Sequence, residues 1–338
     1  MDSRRITGIG AGLGIILLIF DGKTALDGAG QGIDLCIRTV IPSLFPFFVL
    51  SILLTGNLAG SSITILRPLG KICGIPKGAE MILLTGFLGG YPVGAQTVSS
   101  LYRSGQLPKT DARRMLAFCN NAGPSFIFGM AAALFPDKAM AWGMWLIQIL
   151  SAVFVALMIP KTDSGDIQLP EAKPVSVSTA MSRGTAVMAS VCGWVILFRV
   201  FMQVLDRWVL WYFPDSLKII VTGILEMSNG CCELYGIRNT GLRFIICSGM
   251  LSFGGLCVTM QTASVTKELG IKDYIRGKIP QTAFSILLAY WVQLLFSVHI
   301  QHTGFAVVGT AVTVAGILFS VFLRKNKNSS SIPAAFGV

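Results

Sequence analysis

The sequence predicts an all-α polytopic membrane protein made of two internal repeats, with about eight transmembrane helices plus two re-entrant helical hairpins. Three observations predict it. Hydrophobic residues make up 53% of the 338 and charged residues 13%, with a mean hydropathy of +0.69, whereas a soluble domain carries about a quarter charged residues. The apolar residues come in blocks at 6–20, 40–58, 139–160, 184–205, 283–300 and 305–323, most of them close to the roughly 20 residues that cross a hydrocarbon layer. Finally, two similar polar stretches, GGYPVGAQTVSS (89–100) and GGLCVTMQTASV (254–265), interrupt apolar sequence.

At the amino end, Arg4 and Arg5 precede the apolar run 6–20, as in a signal peptide. No small-x-small cleavage site follows, so the run reads as an uncleaved first helix. Asp34 and Arg38 are spaced i, i+4, which suits a local ion pair. IPSLFPF (41–47) has two prolines four apart and predicts a kinked second span.

The first hairpin is expected over about 78–104. Gly and Pro break a helix, and broken backbone at membrane depth survives only where protein or a water-filled cavity covers it. Each arm is about 11 residues, or about 16 Å of helix, half the hydrocarbon thickness. The chain can therefore enter, turn at a tip made of Gly89, Gly90, Pro92 and Gly94, and leave on the same side. Pro92 suits the first turn of the outgoing arm. Gln96, Thr97 and Ser99 follow the tip. A half-helix that starts at the midplane points its free N–H groups and positive end there, which suits an anionic or carbonyl group.

In FCNNAGPSF (118–126), Pro124 disfavours helix at Gly123. Asn120, Asn121, Ser125 and released carbonyls are candidates to hold a cation or a polar solute. A polar linker (161–183) separates the halves. In TGILEMSNGCCELYG (222–236), Thr222, Glu226, Asn229 and Glu233 fall on one face of a continuous helix. Glu226 is the candidate ion-coupling carboxylate, Asn229 a candidate substrate contact, and Glu233, near Arg238, reads as interfacial. The second hairpin is expected over about 243–268, with Gly254 and Gly255 at its tip and Gln261, Thr262 and Ser264 beyond it. Trp194, Trp208, Trp211 and Tyr212 near span ends suit an interfacial belt. Residues 326–338 read as a disordered tail.

The two polar stretches align at an offset of 165 residues, matching Gly89, Gly90, Val93, Gln96, Thr97, Ser99 and Gly105 with Gly254, Gly255, Val258, Gln261, Thr262, Ser264 and Gly270. A basic stretch and two further apolar runs follow each. That suggests a duplication, 1–160 and 184–325. If both hairpins open to the side of the amino terminus, only Lys23, Lys138, Arg207 and Lys218 fall clearly outside. The positive-inside tendency favours that arrangement, with parallel repeats and both termini inside.

The net charge of +11 is then explained by loop residues that set topology, and no nucleic-acid-binding pattern is present. Eight cysteines contain no C-x-x-C, and there are only two histidines, His299 and His302. Neither a metal site nor a cofactor is expected. Phosphate-loop, dinucleotide and H-E-x-x-H signatures are absent, so an enzyme is not expected.

LFPFF (44–48), GFLGGYPVGAQTVSSLYRSGQL (86–107), AFCNNAGPSFIFG (117–129) and GGLCVTMQTAS (254–264) together resemble the YlbJ-like sporulation integral membrane proteins, over most of the chain. That group is similar to the Gate, or nucleoside-recognition, proteins and the membrane part of FeoB, and more distantly to concentrative nucleoside transporters. The resemblance implies a bacterial cell-membrane protein of sporulation, in the mother-cell or forespore membrane, with a transport-like fold. Nucleoside-transporter architecture implies inverted repeats, whereas the loop charges favour parallel ones. The expectation is a transporter or permease for a small polar or anionic solute, lined by Gln96, Gln261, Asn120, Asn121 and Glu226. Its partners are the lipid bilayer, the solute, a monovalent cation or proton as candidate coupling ion, and a second copy of the chain as a candidate homo-oligomer. The alternative is a non-transporting membrane scaffold for spore-envelope (cortex) assembly.

Overall fold

The computed structural model describes residues 3–58, 63–161 and 174–297. Most of the expected linker (162–173), the apolar run 305–323, the tail 326–338 and both histidines lie outside the described residues.

All regular structure among the described residues is helical. Helices α1 (Ser3–Phe20) and α2 (Gly22–Leu35) flank Asp21, and α2 runs through a π-helical turn at Cys36–Val40 into α3 (Ile41–Leu58). The apolar blocks of the sequence leave 21–39 unassigned apart from the Asp34–Arg38 spacing. The structure makes it helix because α2 carries a glycine face that lets it touch α10 (Val177–Trp208) backbone to backbone. A Cβ at Gly32 would stand 2.9 Å from Ile196 Cα. Asp34 and Arg38 pair along this helix. The helix runs on through Pro46, and its irregularity lies one turn earlier, at the π-helical turn.

Beyond α4 (Arg67–Cys73), the chain rises through α5 (Met81–Leu84) and a π-helical turn at Thr85–Gly89. It reverses at 90–92 and returns as α6 (Val93–Arg103). Gly90 has φ +74°, open to glycine at little cost, and the Tyr91–Pro92 peptide is cis. The two arms clamp the next segment. A Cβ at Gly86 or Gly94 would stand 2.6 or 1.9 Å from the Cys119 carbonyl oxygen. That segment is a broken crossing: α7 (Lys109–Leu116), unwound backbone through 120–123, then α8 (Pro124–Gly129) started by its proline. Helix α9 (Lys138–Met158), capped by the Asp137 side chain on Ala139 N at 2.8 Å, runs back.

The second half opens with α10, followed by α11 (Asp215–Leu225) and α12 (Met227–Glu233). These two do not continue one another. A Cβ at Gly230 would stand 2.3 Å from Gly223 Cα, although seven residues of straight helix would separate them by about 10 Å. The chain therefore folds back at Glu226, and the expected single face of Thr222, Glu226, Asn229 and Glu233 does not exist.

Helices α13 (Thr240–Phe253) and α14 (Gly255–Val265) meet at Gly254 and Gly255, whose φ values of +78° and +79° only glycine adopts readily. A re-entrant hairpin was expected here, over about 243–268. The structure instead has a crossing broken in its middle. Helix α15 (Lys272–Ser297) runs antiparallel to α13, with the Ser285 hydroxyl on the Ser248 carbonyl at 3.0 Å and Gly241 beside Gln293. If α14 folded back along α13, Val265 would lie about 29 Å from the level of Lys272, beyond the reach of the short turn between them. Together α13 and α14 form one apolar stretch, Thr240–Val265, long enough to span.

Polar contacts fix the two ends of the bundle. At one end, Arg114 donates to the carbonyls of Cys73, Gly74, Ala156 and Pro160 at 2.7–3.1 Å, and Arg113 pairs with Asp273 at 2.6 Å. At the other, Arg243 donates to Leu134 and Ile237, and Tyr235 to Ala133. The outside is apolar: Leu50, Leu54, Trp142, Leu146, Phe201, Ile286 and Trp291 are exposed, while Gln148, Ser248, Ser252 and Gln281 are buried. That is the inverse of a soluble protein and suits a lipid surround. Four stretches among the described residues are long and apolar enough to cross unaided: Gly22–Leu54, Lys138–Met158, Val177–Trp208 and Thr240–Val265. Of the eight expected crossings, 305–323 lies outside the described residues, and 109–134 is broken.

Two outcomes follow from this geometry. Single reporter cysteines at Ser104 and Asn239, in a background without native thiols, should label from opposite membrane faces. Gly94→Ala should lower the unfolding midpoint in detergent, at an overpacking cost of about 1–3 kcal/mol, while Gly30→Ala, in open space, should leave it unchanged.

Candidate functional site

Four breaks in helical structure meet. They are the hairpin tip at 90–92, the unwound 120–123, the fold-back at Glu226 and the start of α14. Tyr91, Ala122 and Gly123, the segment from Glu226 to Ser228, and Val258 and Gln261 line one cavity. Val40 and Leu44 of the α2–α3 span and Val191 and Val195 of α10 complete its lining, and the cavity volume is about 30 Å³.

Glu226 is the only carboxylate in this lining, and it is 2% exposed. It caps α12: Oε1 accepts from Ser228 N at 3.0 Å, and Oε2 from Asn229 N at 2.7 Å and Asn229 Nδ2 at 2.8 Å. Asn229 therefore serves Glu226. The broken helix puts Glu226 where three N–H groups converge, a role that a helix-wheel reading of a continuous helix cannot reveal. Glu233 is half-exposed, 3.9 Å from Arg199 rather than beside Arg238.

Asn120 is fully buried and ties the first hairpin to α14. Its Oδ1 accepts from Ala95 N at 3.3 Å, and its Nδ2 donates to Thr262 Oγ1 at 2.9 Å. Asn121 holds the other side of the hairpin, donating to Phe118 O at 2.8 Å and accepting from Gln281 Nε2 at 2.7 Å. Gln261 lines the cavity, with Nε2 3.3 Å from Cys257 Sγ.

The other expected residues are not gathered there. Gln96 is exposed on α6, so the expected pair of glutamines is reduced to Gln261. Thr97 bonds back to Val93 O at 3.0 Å, and Ser264 to Gln261 O at 2.7 Å, each within its own helix. Ser99 and Ser125 are buried outside the cavity lining. Gly89, Gly90, Pro92 and Gly94 form the first tip, whereas Gly254 and Gly255 form the joint of a crossing. Gly254 packs on the Tyr91 ring: a Cβ there would stand 3.2 Å from Tyr91 Cζ.

Several polar residues escaped the sequence reading. Lys278, 2% exposed, reaches Tyr91, Asn121 and Gln281. Gln148 donates to Ser252 Oγ at 2.9 Å, joining α9 to α13. Gln148 carried a signal, as a glutamine inside a span, whereas Lys278 stands in a basic stretch where nothing sets it apart.

The chain is similar to the sporulation integral membrane protein YlbJ of Bacillus subtilis (strain 168), 25% identical over an alignment that covers 81% of this chain and 78% of that protein. It is a helical membrane protein. No protein-family model matches the chain, and no solved structure matches it.

Asn120→Ala should strand Ala95 N and remove the tie to Thr262 Oγ1, which keeps its bond to Val258 O, and so destabilise the protein by about 1–3 kcal/mol. Thr97→Ala should cost much less, and denaturant unfolding in micelles compares the two. Glu226→Gln should also lower stability, since an amide offers one oxygen where the carboxylate offers two to the three converging N–H groups.

Proposed function

We propose that this protein is a membrane transporter or permease for a small polar or anionic solute, acting in bacterial sporulation as the name of its Bacillus relative indicates. The observation that carries this reading is the cavity where four helix breaks meet. Broken backbone at membrane depth is costly, and it is found where it lines a path or a site.

The arrangement of the halves supports the reading. In each, a spanning helix leads to a folded-back pair, then a broken crossing, then a long helix: α2–α3, α5–α6, α7–α8, α9, and again α10, α11–α12, α13–α14, α15. The first folded-back pair rises from the end of the bundle that holds Arg113 and Arg114, and the second descends from the end that holds Arg243. This order supports a reading of inverted repeats in which Gly90 is equivalent to Glu226, rather than Gly89 to Gly254. Inverted halves around a central site are the geometry of alternating access.

Chemistry narrows the solute. The first two turns of α14 line the cavity through Val258 and Gln261, and a helix start favours negative or carbonyl groups. Glu226 opposes a bare anion, but its oxygens are already engaged by three N–H groups, and a proton or monovalent cation there would remove the opposition. Apolar Phe126, Val191 and Met227 on the same walls suit a solute with a flat or compact apolar body.

The test is flux into liposomes holding the purified protein, with nucleosides and small organic anions as the panel. At least one should bind and move. Gln261→Ala should weaken its binding by about tenfold, as expected for one lost hydrogen bond, and Gln96→Ala should leave it unchanged. No binding or flux across the panel, with spore-envelope assembly disturbed only by loop substitutions, would instead support the scaffold reading.

A further inference from the structure

We propose that Lys278 is a proton-binding site that latches the tip of the first hairpin, closed when the lysine is charged and released when it is neutral. Lys278 stands behind the cavity, in contact with the hydroxyl of the cavity-lining Tyr91. Its Nζ donates to Gln281 Oε1 at 2.8 Å, Tyr91 Oη at 3.0 Å and Asn121 Oδ1 at 3.4 Å. An ammonium has three N–H groups, and the three acceptors come from α15, the hairpin tip and the unwound crossing.

The groups around the amine are neutral. The Tyr91 and Tyr274 rings lie 5.0 and 5.5 Å from Nζ, and Cys119 faces it from the broken crossing. On α15 itself Arg276 is exposed and lies 3.7 Å from Asp273, which α7 engages through Arg113 at 2.6 Å. Helices α9 and α13 present Gln148, Ser248 and Ser252. Among the described residues no carboxylate lies within ion-pair distance of Lys278, so its charge is held by hydrogen bonds and the two tyrosine rings, and losing a proton leaves no uncompensated carboxylate behind.

Loss of that proton to water changes the count of donors. A neutral amine offers two N–H groups and a lone pair. Asn121 Oδ1 keeps a donor from Gln281 Nε2 at 2.7 Å, so the two remaining N–H groups serve Gln281 and Tyr91, and the bond that holds the tip loses its charge assistance. The Tyr91 hydroxyl now faces α13, 3.1 Å from Leu251 O and 3.3 Å from Ser252 O. It can turn its proton to the lysine lone pair only by giving up those carbonyls. In either arrangement the hold on the tip is weakened, by loss of charge assistance to the α15 link or of the contact to α13. Tyr91 also packs on Gly254, the joint of the second broken crossing. The proton on Lys278 thereby holds together two of the breaks that wall the cavity.

Its use in a transport cycle rests on the transporter reading, whereas the latch itself is measurable without any solute. Amide hydrogen exchange of the tip, residues 86–96, would be followed by mass spectrometry in lipid nanodiscs from about pH 5 to about pH 10, across the range of lysine pKa values found in proteins, with intrinsic exchange rates divided out. Wild-type protection should fall by about tenfold or more in a single one-proton step, the effect of one charge-assisted hydrogen bond. Lys278→Arg, always charged, should stay protected throughout, and Lys278→Gln should lack the step. Flat wild-type protection, or the same step in Lys278→Arg, would overturn the proposal. The comparison of wild type with Lys278→Arg suffices if Lys278→Gln does not fold. A clear step in a protein that moves no solute would uphold the latch and count against transport.

Discussion

The constraint on which everything else depends is that a peptide group cannot be left without a partner inside a membrane. Each helix break in this chain releases N–H and C=O groups where no lipid can take them, at a cost of several kcal/mol apiece. The molecule answers by bringing the breaks together. Asn120 reaches into α6 and α14 at once, Glu226 absorbs the freed donors at the start of α12, and Asn121 steadies the first hairpin against α15. No one break is tolerable alone, and the four are tolerable as a cluster. The cavity is the space left at their meeting point.

Close approach is the second requirement. Satisfying backbone with backbone needs helices nearer than side chains normally permit, and glycines supply that distance. Gly86 and Gly94 close on Cys119, Gly277 lies against Ala117, and Gly223 against Gly230. Small residues at such contacts are also how helices pack in lipid, where the hydrophobic effect does not drive them together. Polar ties then supply specificity between α9, α13 and α15 through Gln148, Ser248, Ser252 and Ser285.

Charge is distributed by the same logic. Arg113 and Arg114 stay at one end of the bundle, where Arg114 is spread over four carbonyls, and Arg243 stays at the other. Within the interior, Glu226 and Lys278 are each surrounded by neutral hydrogen-bond partners rather than by each other. Two separately solvated charges on opposite sides of a cavity can change state independently, which a buried ion pair cannot do.

By itself the sequence determined that the chain is helical and sits in a membrane, because block length and the scarcity of charge are one-dimensional quantities. It also marked the first hairpin tip and the unwound Asn120–Gly123 stretch, since Gly-Gly, Tyr-Pro and Gly-Pro act locally on the backbone. It went wrong where two local texts are alike but their surroundings differ. Gly89–Gly90 and Gly254–Gly255 carry the same letters, yet one pair turns the chain back and the other bends it onward, because α15 begins only a short turn after α14 and leaves no room to return. Glu226, with no glycine or proline within two residues, was assigned to a continuous helix, whereas the contact of Gly223 with Gly230 folds the chain there. Which polar side chains face the cavity, Gln261 but not Gln96, and that Lys278 joins the first hairpin at all, were decided only in three dimensions. Those outcomes depend on which helices neighbour one another, and neighbours far apart along a chain leave no local mark on it.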